Sequence, residues 1–150
     1  MVIDHVGIVV RRLERSIEAW GRLFGYARAS EIVVNTRQQV RIVFLAKADS
    51  ITIKLLEPTG ADSPVALFAS KGGGLHHLCF RCDDLKVDVP LLQERGARLL
   101  VPPQPGEAFN DHDIAFLYAA NLNVELIDSG EKRGWTGDNG ESARGVGSAS

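Results

Sequence analysis

Apolar residues along this chain switch twice between a period of two and a period near 3.6, in the same order each time. Met1 to Val10 alternates and is rich in β-branched residues, which predicts a strand; Leu13, Ile17, Trp20 and Phe24 then recur at helical spacing, and Gly25 supplies the stop. Three further strands are expected near Ala27 to Val33, Gln39 to Ala46 and Ser50 to Glu57, with turns marked by Asn35 and Asp49-Ser50. The second half repeats the order. A strand from Leu75 to Cys82 leads to a helix near Asp84 to Arg95, with Leu85, Val89 and Leu92 inward and Gly96 as stop, and then to strands near Arg98 to Val101, Asp113 to Ala119 and Asn123 to Ile127. Pro90 is expected to kink that helix or delay its start, because proline has no N–H for the preceding turn. Between the halves, Pro64 to Ser70 predicts a short helix capped by Ser63.

The repetition is also one of residues. Ile3-Asp4-His5-Val6-Gly7-Ile8 matches Leu75-His76-His77-Leu78-Cys79-Phe80 at an offset of 72 positions, which sets His5 on His77. The same offset lays Ile42 to Ala46 on Ile114 to Tyr118, and one deletion then lays Lys54 on Glu125. The chain is therefore expected to be α+β, with one domain over 1–128 built from βαβββ modules at 1–58 and 74–128 and a linker helix within 59–73. From Ser129 on, 10 of 22 residues are Gly or Ser, so 129–150 is expected to be a flexible tail with Trp135 unattached.

Composition narrows the function. A formal net charge of −2 disfavours nucleic acid and anionic lipid as partners, and no apolar run is long enough to span a bilayer or form a signal peptide, so a cytoplasmic protein is expected. The two cysteines, Cys79 and Cys82, lie three apart on a predicted strand and so on opposite faces, which predicts buried thiols rather than a redox or zinc pair. Strand alternation sends His5 and His77 to the same side of their strands; with Glu125 they form a candidate divalent-metal triad of two imidazoles and a carboxylate. Such a site would polarise a carbonyl and stabilise an enolate.

Ile3-Asp4-His5-Val6-Gly7-Ile8-Val9-Val10, Leu55-Leu56-Glu57-Pro58, Asp62 to Ala66, Gly74-Leu75-His76-His77-Leu78 and Val124-Glu125-Leu126 together resemble the vicinal oxygen chelate superfamily of glyoxalases, bleomycin-resistance proteins and dioxygenases, and within it methylmalonyl-CoA epimerases. The resemblance implies a cupped, half-open mixed sheet with flanking helices, a homodimer, and a divalent metal (Co, Mn, Zn, Ni or Fe) on His5, His77 and Glu125. It implies an isomerase, epimerase or lyase acting on a small carbonyl or thioester substrate. The family's fourth ligand falls on Lys54, which has no lone pair to give while protonated. Lys54 is then expected to swing away and leave three ligands, to be neutral, or to pair with Glu125 in the metal's place. The epimerases' carboxylate on the third strand is also missing, since no acid lies between Arg37 and Ala48.

Replacements for that acid are expected in the loop bearing Glu107, Asp111, His112 and Asp113, which would close over the cup and supply His112, or an acid, for proton transfer. Arg41, its repeat partner Asp113, and Arg81 are candidate substrate-binding residues. Catalytic roles are expected for Glu125, Lys54 and His112. Two other readings stand beside the enzyme: a non-catalytic small-molecule binding or resistance protein, and an Fe(II) dioxygenase.

Overall fold

The computed structural model describes residues 1–137. Alternation is what builds it. In the first half come β1 (Val2–Val9), α1 (Leu13–Phe24), β2 (Ala27–Arg28), β3 (Val33–Asn35), β4 (Val40–Ala46) and β5 (Thr52–Pro58). After α2 (Ala66–Ser70) follow β6 (Gly74–Arg81), α3 (Leu85–Glu94), β7 (Arg98–Pro105), a 3₁₀ turn (Glu107–Phe109), β8 (Asp113–Ala119) and β9 (Leu122–Ile127).

The strands form one mixed sheet in the order β2-β4-β5-β1-β6-β9-β8-β7, with β3 added on β4. β1 and β6 pair antiparallel at the centre, β1 runs parallel to β5 and β6 parallel to β9, so each half mirrors the other about the central pair. The two ends of the order do not meet among the described residues, and the sheet remains an open cup. On its outer face Leu13, Ile17 and Trp20 of α1 pack on Val43, Leu45, Ile53 and Leu55, while Leu85, Val89 and Leu92 of α3 pack on Ala115, Leu117, Val124 and Leu126. The alternate residues of the same strands, Val9, Ile42, Phe44, Leu56, Cys79, Ile114, Phe116 and Ile127, line the inside. Each fully buried Leu or Ile contributes about 1.5–3 kcal/mol, so a one-residue slip in any strand would empty both layers.

The helix ends repeat as well. Glu57 accepts the Leu13 N–H and Asp128 the Leu85 N–H, so in each half a carboxylate at the end of the last strand caps the helix. Asp84 adds a local cap by accepting from the N–H of Lys86. At the other end of α1, Gly25 takes the left-handed conformation at φ 75°, where glycine carries no penalty.

Several expectations are corrected. The strand expected over Ala27 to Val33 divides into β2 and β3. The linker helix begins at Ala66 with Val65 at its cap position, and the Ser63 hydroxyl instead accepts the N–H of Val65. Pro90 sits within α3 without displacing its start. β7 runs on through Pro102 and Pro103 to Pro105; as the last strand of the sheet it has an unpaired side, where a missing N–H costs nothing. The tail is not free from Ser129. Residues 129–137 turn back across the mouth of the cup, where the Arg133 N–H donates to the Ala108 carbonyl and that of Thr136 to Ala29, and Trp135 packs on the inner cluster. The rest of the expected tail, 138–150, lies outside the described residues. Among the described residues no helix is long and apolar enough to cross a membrane.

Candidate functional site

The four central strands each turn one residue of chemical interest into the cup. His5 on β1 sits opposite Cys79 on β6, which sits beside Glu125 on β9; one step along, Lys54 on β5 sits beside Gly7 on β1, which sits opposite His77 on β6. His5, Lys54, His77 and Glu125 therefore meet at the floor. All four are buried, none more than 2% exposed.

Glu125 is the hub. The ammonium of Lys54 donates to both of its carboxylate oxygens, 3.0 Å from Oε1 and 3.1 Å from Oε2. His5 Nε2 lies 3.0 Å from Oε2 in hydrogen-bond geometry. His77 Nε2 is also 3.0 Å from Oε2, an ion-pair contact that is not aligned as a hydrogen bond. Burial works against the Glu125 charge, yet Lys54, His77 and the bond from His5 outweigh it and hold the carboxyl well below its usual range. For His77 burial dominates and pushes the imidazole down to about 4, so it is neutral at pH 7.

A second layer orients the first. Asp4 Oδ1 stands 2.8 Å from His5 Nδ1, and the Lys132 ammonium from the returning segment is 3.0 Å from the same carboxylate oxygen. Burial opposes Asp4 too, but His5 and Lys132 prevail and its carboxyl is lowered. With Nδ1 facing Asp4, Nε2 of His5 is fixed toward Glu125. On the far side, Nδ1 of His77 meets Nδ1 of His76 at 2.9 Å. Gly7 makes the packing possible: a Cβ there would come within 2.1 Å of the His77 ring, so this imidazole lies flat over a backbone that no other residue could provide.

The aromatic lining closes the floor. Phe44 and Phe109 flank the His5 ring at centroid distances of 5.4 and 5.9 Å, Phe116 meets His77 edge-on at 5.8 Å, and the Lys54 ammonium lies 5.0 Å from the centre of the Phe109 ring. The loop expected to cover the cup does so, but with Phe109. His112 is turned to the surface, 43% exposed and 3.4 Å from Glu131, so the structure does not bring it to the cluster. Glu107 is occupied by the N–H and hydroxyl of Thr36.

The other candidates sit elsewhere. Arg41 pairs with Glu14 and Glu57, clamping the start of α1, and Asp113 is exposed at the start of β8. Arg81 lines an open cavity of about 880 Å³ together with Arg28, Lys47, Asp4 and Lys132. The thiols of Cys79 and Cys82 are free and buried, and burial pushes Cys82 up to about 12. Asp4, Gly7, Phe109 and Lys132 were not singled out as site residues from sequence. The acid directly before a paired histidine was a signal for Asp4; nothing local marked Phe109 or Lys132.

His5, His77 and Glu125 offer ligand atoms that all lie within 4.8 Å of one another, the donor set a divalent ion wants. Lys54 spoils the fit. Its ammonium holds both oxygens of the only carboxylate in that set. A unit charge and a dication about 4 Å apart repel by about 8 kcal/mol even at an effective dielectric constant near 20. Glu125 is already paired with Lys54 and Asp4 with Lys132, so among the described residues of the site an added dication would meet no carboxylate without a cation of its own. The residues as they stand do not fit a divalent metal.

Comparison with known proteins agrees with the fold. Residues 4–116 match the family model of the Glyoxalase/Bleomycin resistance protein/Dioxygenase superfamily. The chain is 31% identical over 132 residues to the mitochondrial methylmalonyl-CoA epimerase of Dictyostelium discoideum, covering 87% of this chain and 78% of that protein. It is 32% identical over 133 residues to an uncharacterized protein, YqjC, of Bacillus subtilis, covering 88% and 93%. Among solved structures, the methylmalonyl-CoA epimerase of Mycobacterium tuberculosis superposes with a TM-score of 0.75 at 30% identity over 84% of this chain and 86% of that one. A Streptomyces coelicolor methylmalonyl-CoA epimerase variant in complex with 2-nitronate-propionyl-CoA gives 0.74 at 30% over 85% and 93%. By sheet order, central residues and these matches, the chain belongs to the glyoxalase, bleomycin-resistance and dioxygenase superfamily and is similar to its methylmalonyl-CoA epimerase-like members.

Proposed function

We propose that this chain is an epimerase or isomerase that passes the α-proton of a small acyl thioester to the neutral imidazole of His77 and stabilises the enolate that results. The observation that carries this reading is the buried Lys54–Glu125 pair between two imidazoles at the floor of the cup. An enolate oxygen needs a fixed positive charge in a dry site, and Lys54 offers one held by Glu125. The relative solved with 2-nitronate-propionyl-CoA supports the substrate class, because a nitronate has the planar, anionic form of an enolate. A second relative was solved with methylmalonyl-CoA and NH4+.

Arg28, Lys47, Arg81 and Lys132 rim the open cavity beside Asp4, a place suited to the phosphates of a coenzyme A thioester. In this reading Arg81 is one of the residues that bind substrate, whereas Arg41 pairs with Glu14 and Glu57 beside α1. For substrate to reach Lys54, Phe109 must leave the ammonium. The 3₁₀ turn that carries it is followed by Asn110 and Asp111, both at positive φ, and is held by bonds from Thr36 to Glu107 and from Asn110 to Glu131, by the Arg133 N–H on the Ala108 carbonyl and by the burial of Phe109 itself. Opening it costs that burial, which bound substrate has to restore.

The closed floor also favours a second reading, a binding protein that sequesters an apolar ligand in the cup without chemistry. Proton NMR of methylmalonyl-CoA in deuterated water separates the two. The enzyme washes the α-proton out, and Lys54→Met abolishes the exchange; stoichiometric binding with no exchange above the uncatalysed rate would leave the binding protein.

A further inference from the structure

We propose that Lys54 is a built-in substitute for the divalent ion of this site, making the chain a metal-independent member of its superfamily whose electrophile is an ammonium fixed by Glu125. Register puts Lys54 and Glu125 at equivalent positions of the two repeats, each on the strand parallel to a central strand, and both turn inward. The lysine reaches across the floor and engages both oxygens of Glu125. Among the described residues that carboxylate is the anionic member of the His5–His77–Glu125 ligand set, so the ammonium takes the charge on which a dication there would depend.

Burial holds it there. Lys54 is 1% exposed, beside Phe44 in the sheet and beneath Phe109, and swinging away would strand Glu125 without a counter-charge among phenylalanines. The backbone also makes room, since Gly7, the neighbour of Lys54 in the sheet, leaves space for His77 that a side chain would fill.

An ammonium has three donors. Two are spent on Glu125, and the remaining face of the group looks to the ring of Phe109. Displacing that ring exposes a donor with a full positive charge, which is what the carbonyl oxygen of a thioester requires as it becomes an enolate oxygen. This role toward substrate rests on the proposed function; the replacement of the ion does not.

The test is Co(II) uptake by the full chain, read by equilibrium dialysis with elemental analysis and by visible absorption of the bound ion. The parent is expected to retain less than about 0.1 equivalent under conditions where Lys54→Gln retains close to a full equivalent, a gain in affinity of at least about 100-fold. His5→Ala in the Lys54→Gln background should remove it again. Near-ultraviolet circular dichroism checks that the variant is folded, and Lys54→Met serves if the glutamine form is not. A parent that binds a full equivalent as tightly as the variant would overturn the proposal, and so would a folded variant that binds none. Exchange of the substrate α-proton by the parent should survive a chelator. Absence of exchange together with absence of metal would sink the proposed function and leave the replacement standing.

Discussion

In the first half of the sheet β5 turns Lys54 into the cup and Glu57 caps α1; in the second, β9 turns in Glu125 and Asp128 caps α3. The helix caps have kept their chemistry through the repeat, because each half must satisfy the same orphan N–H groups. The floor has not, since Lys54 and Glu125 stand at equivalent places with opposite charge. Positions that serve each half alone stay alike, whereas positions that face each other across the centre are free to become complementary. His5 and His77 show a milder case: both are imidazoles at one parity, but His5 is oriented by Asp4 and Lys132 while His77 lies over Gly7 against His76.

The sharpest way to break this asymmetry is to remove one charge. Lys54→Met should cost about 3–5 kcal/mol in chemical denaturation, because it leaves Glu125 buried and unpaired. Exchanging the pair, Lys54→Glu with Glu125→Lys, should recover at least half of that loss if the two positions are equivalent.

Acid titration comes next. The folded-state value of His77 is depressed from 6.5 to about 4, so between those pH values the unfolded chain binds the extra proton and stability falls as pH drops. The fall amounts to about 3 kcal/mol for this group and is absent above pH 6.5. Glu125, also depressed, adds a further loss below pH 4.5. In Lys54-containing protein the variant His77→Gln should flatten the upper part of the denaturation profile and leave the lower part.

Gly7→Ala sharpens the comparison between the central strands. It should destabilise by about 1–3 kcal/mol, as the new Cβ would collide with His77, whereas Cys79→Ala at the equivalent place should cost less. The smallest effect is expected for Arg41→Ala: its pairs with Glu14 and Glu57 are partly exposed, so a loss of about 0.5 kcal/mol with unchanged α-proton exchange would identify it as a support of α1.

Much of this was legible beforehand because it is periodic. The offset of 72 residues gave the two modules, strand parity put His5 and His77 on one side of their strands, and the repeat set Glu125 opposite Lys54. Sequence also left three courses open for Lys54, and the structure takes the pairing with Glu125. What was not legible depends on long-range contact: Pro102 and Pro103 in an edge strand, Arg41 on Glu57, Phe109 rather than His112 over the floor, and Lys132 and Trp135 returning from a segment with the composition of a free tail. None carries a local period, and Arg41, Phe109 and Lys132 are each fixed by a partner more than 15 residues away.

The most direct measurement is anomalous diffraction at the cobalt edge from crystals of the parent protein grown in millimolar Co(II). The account predicts no anomalous peak among His5, His77 and Glu125, with the Lys54 ammonium within hydrogen-bond distance of both Glu125 oxygens. A strong peak coordinated by those three residues, with Lys54 turned away from Glu125, would contradict it.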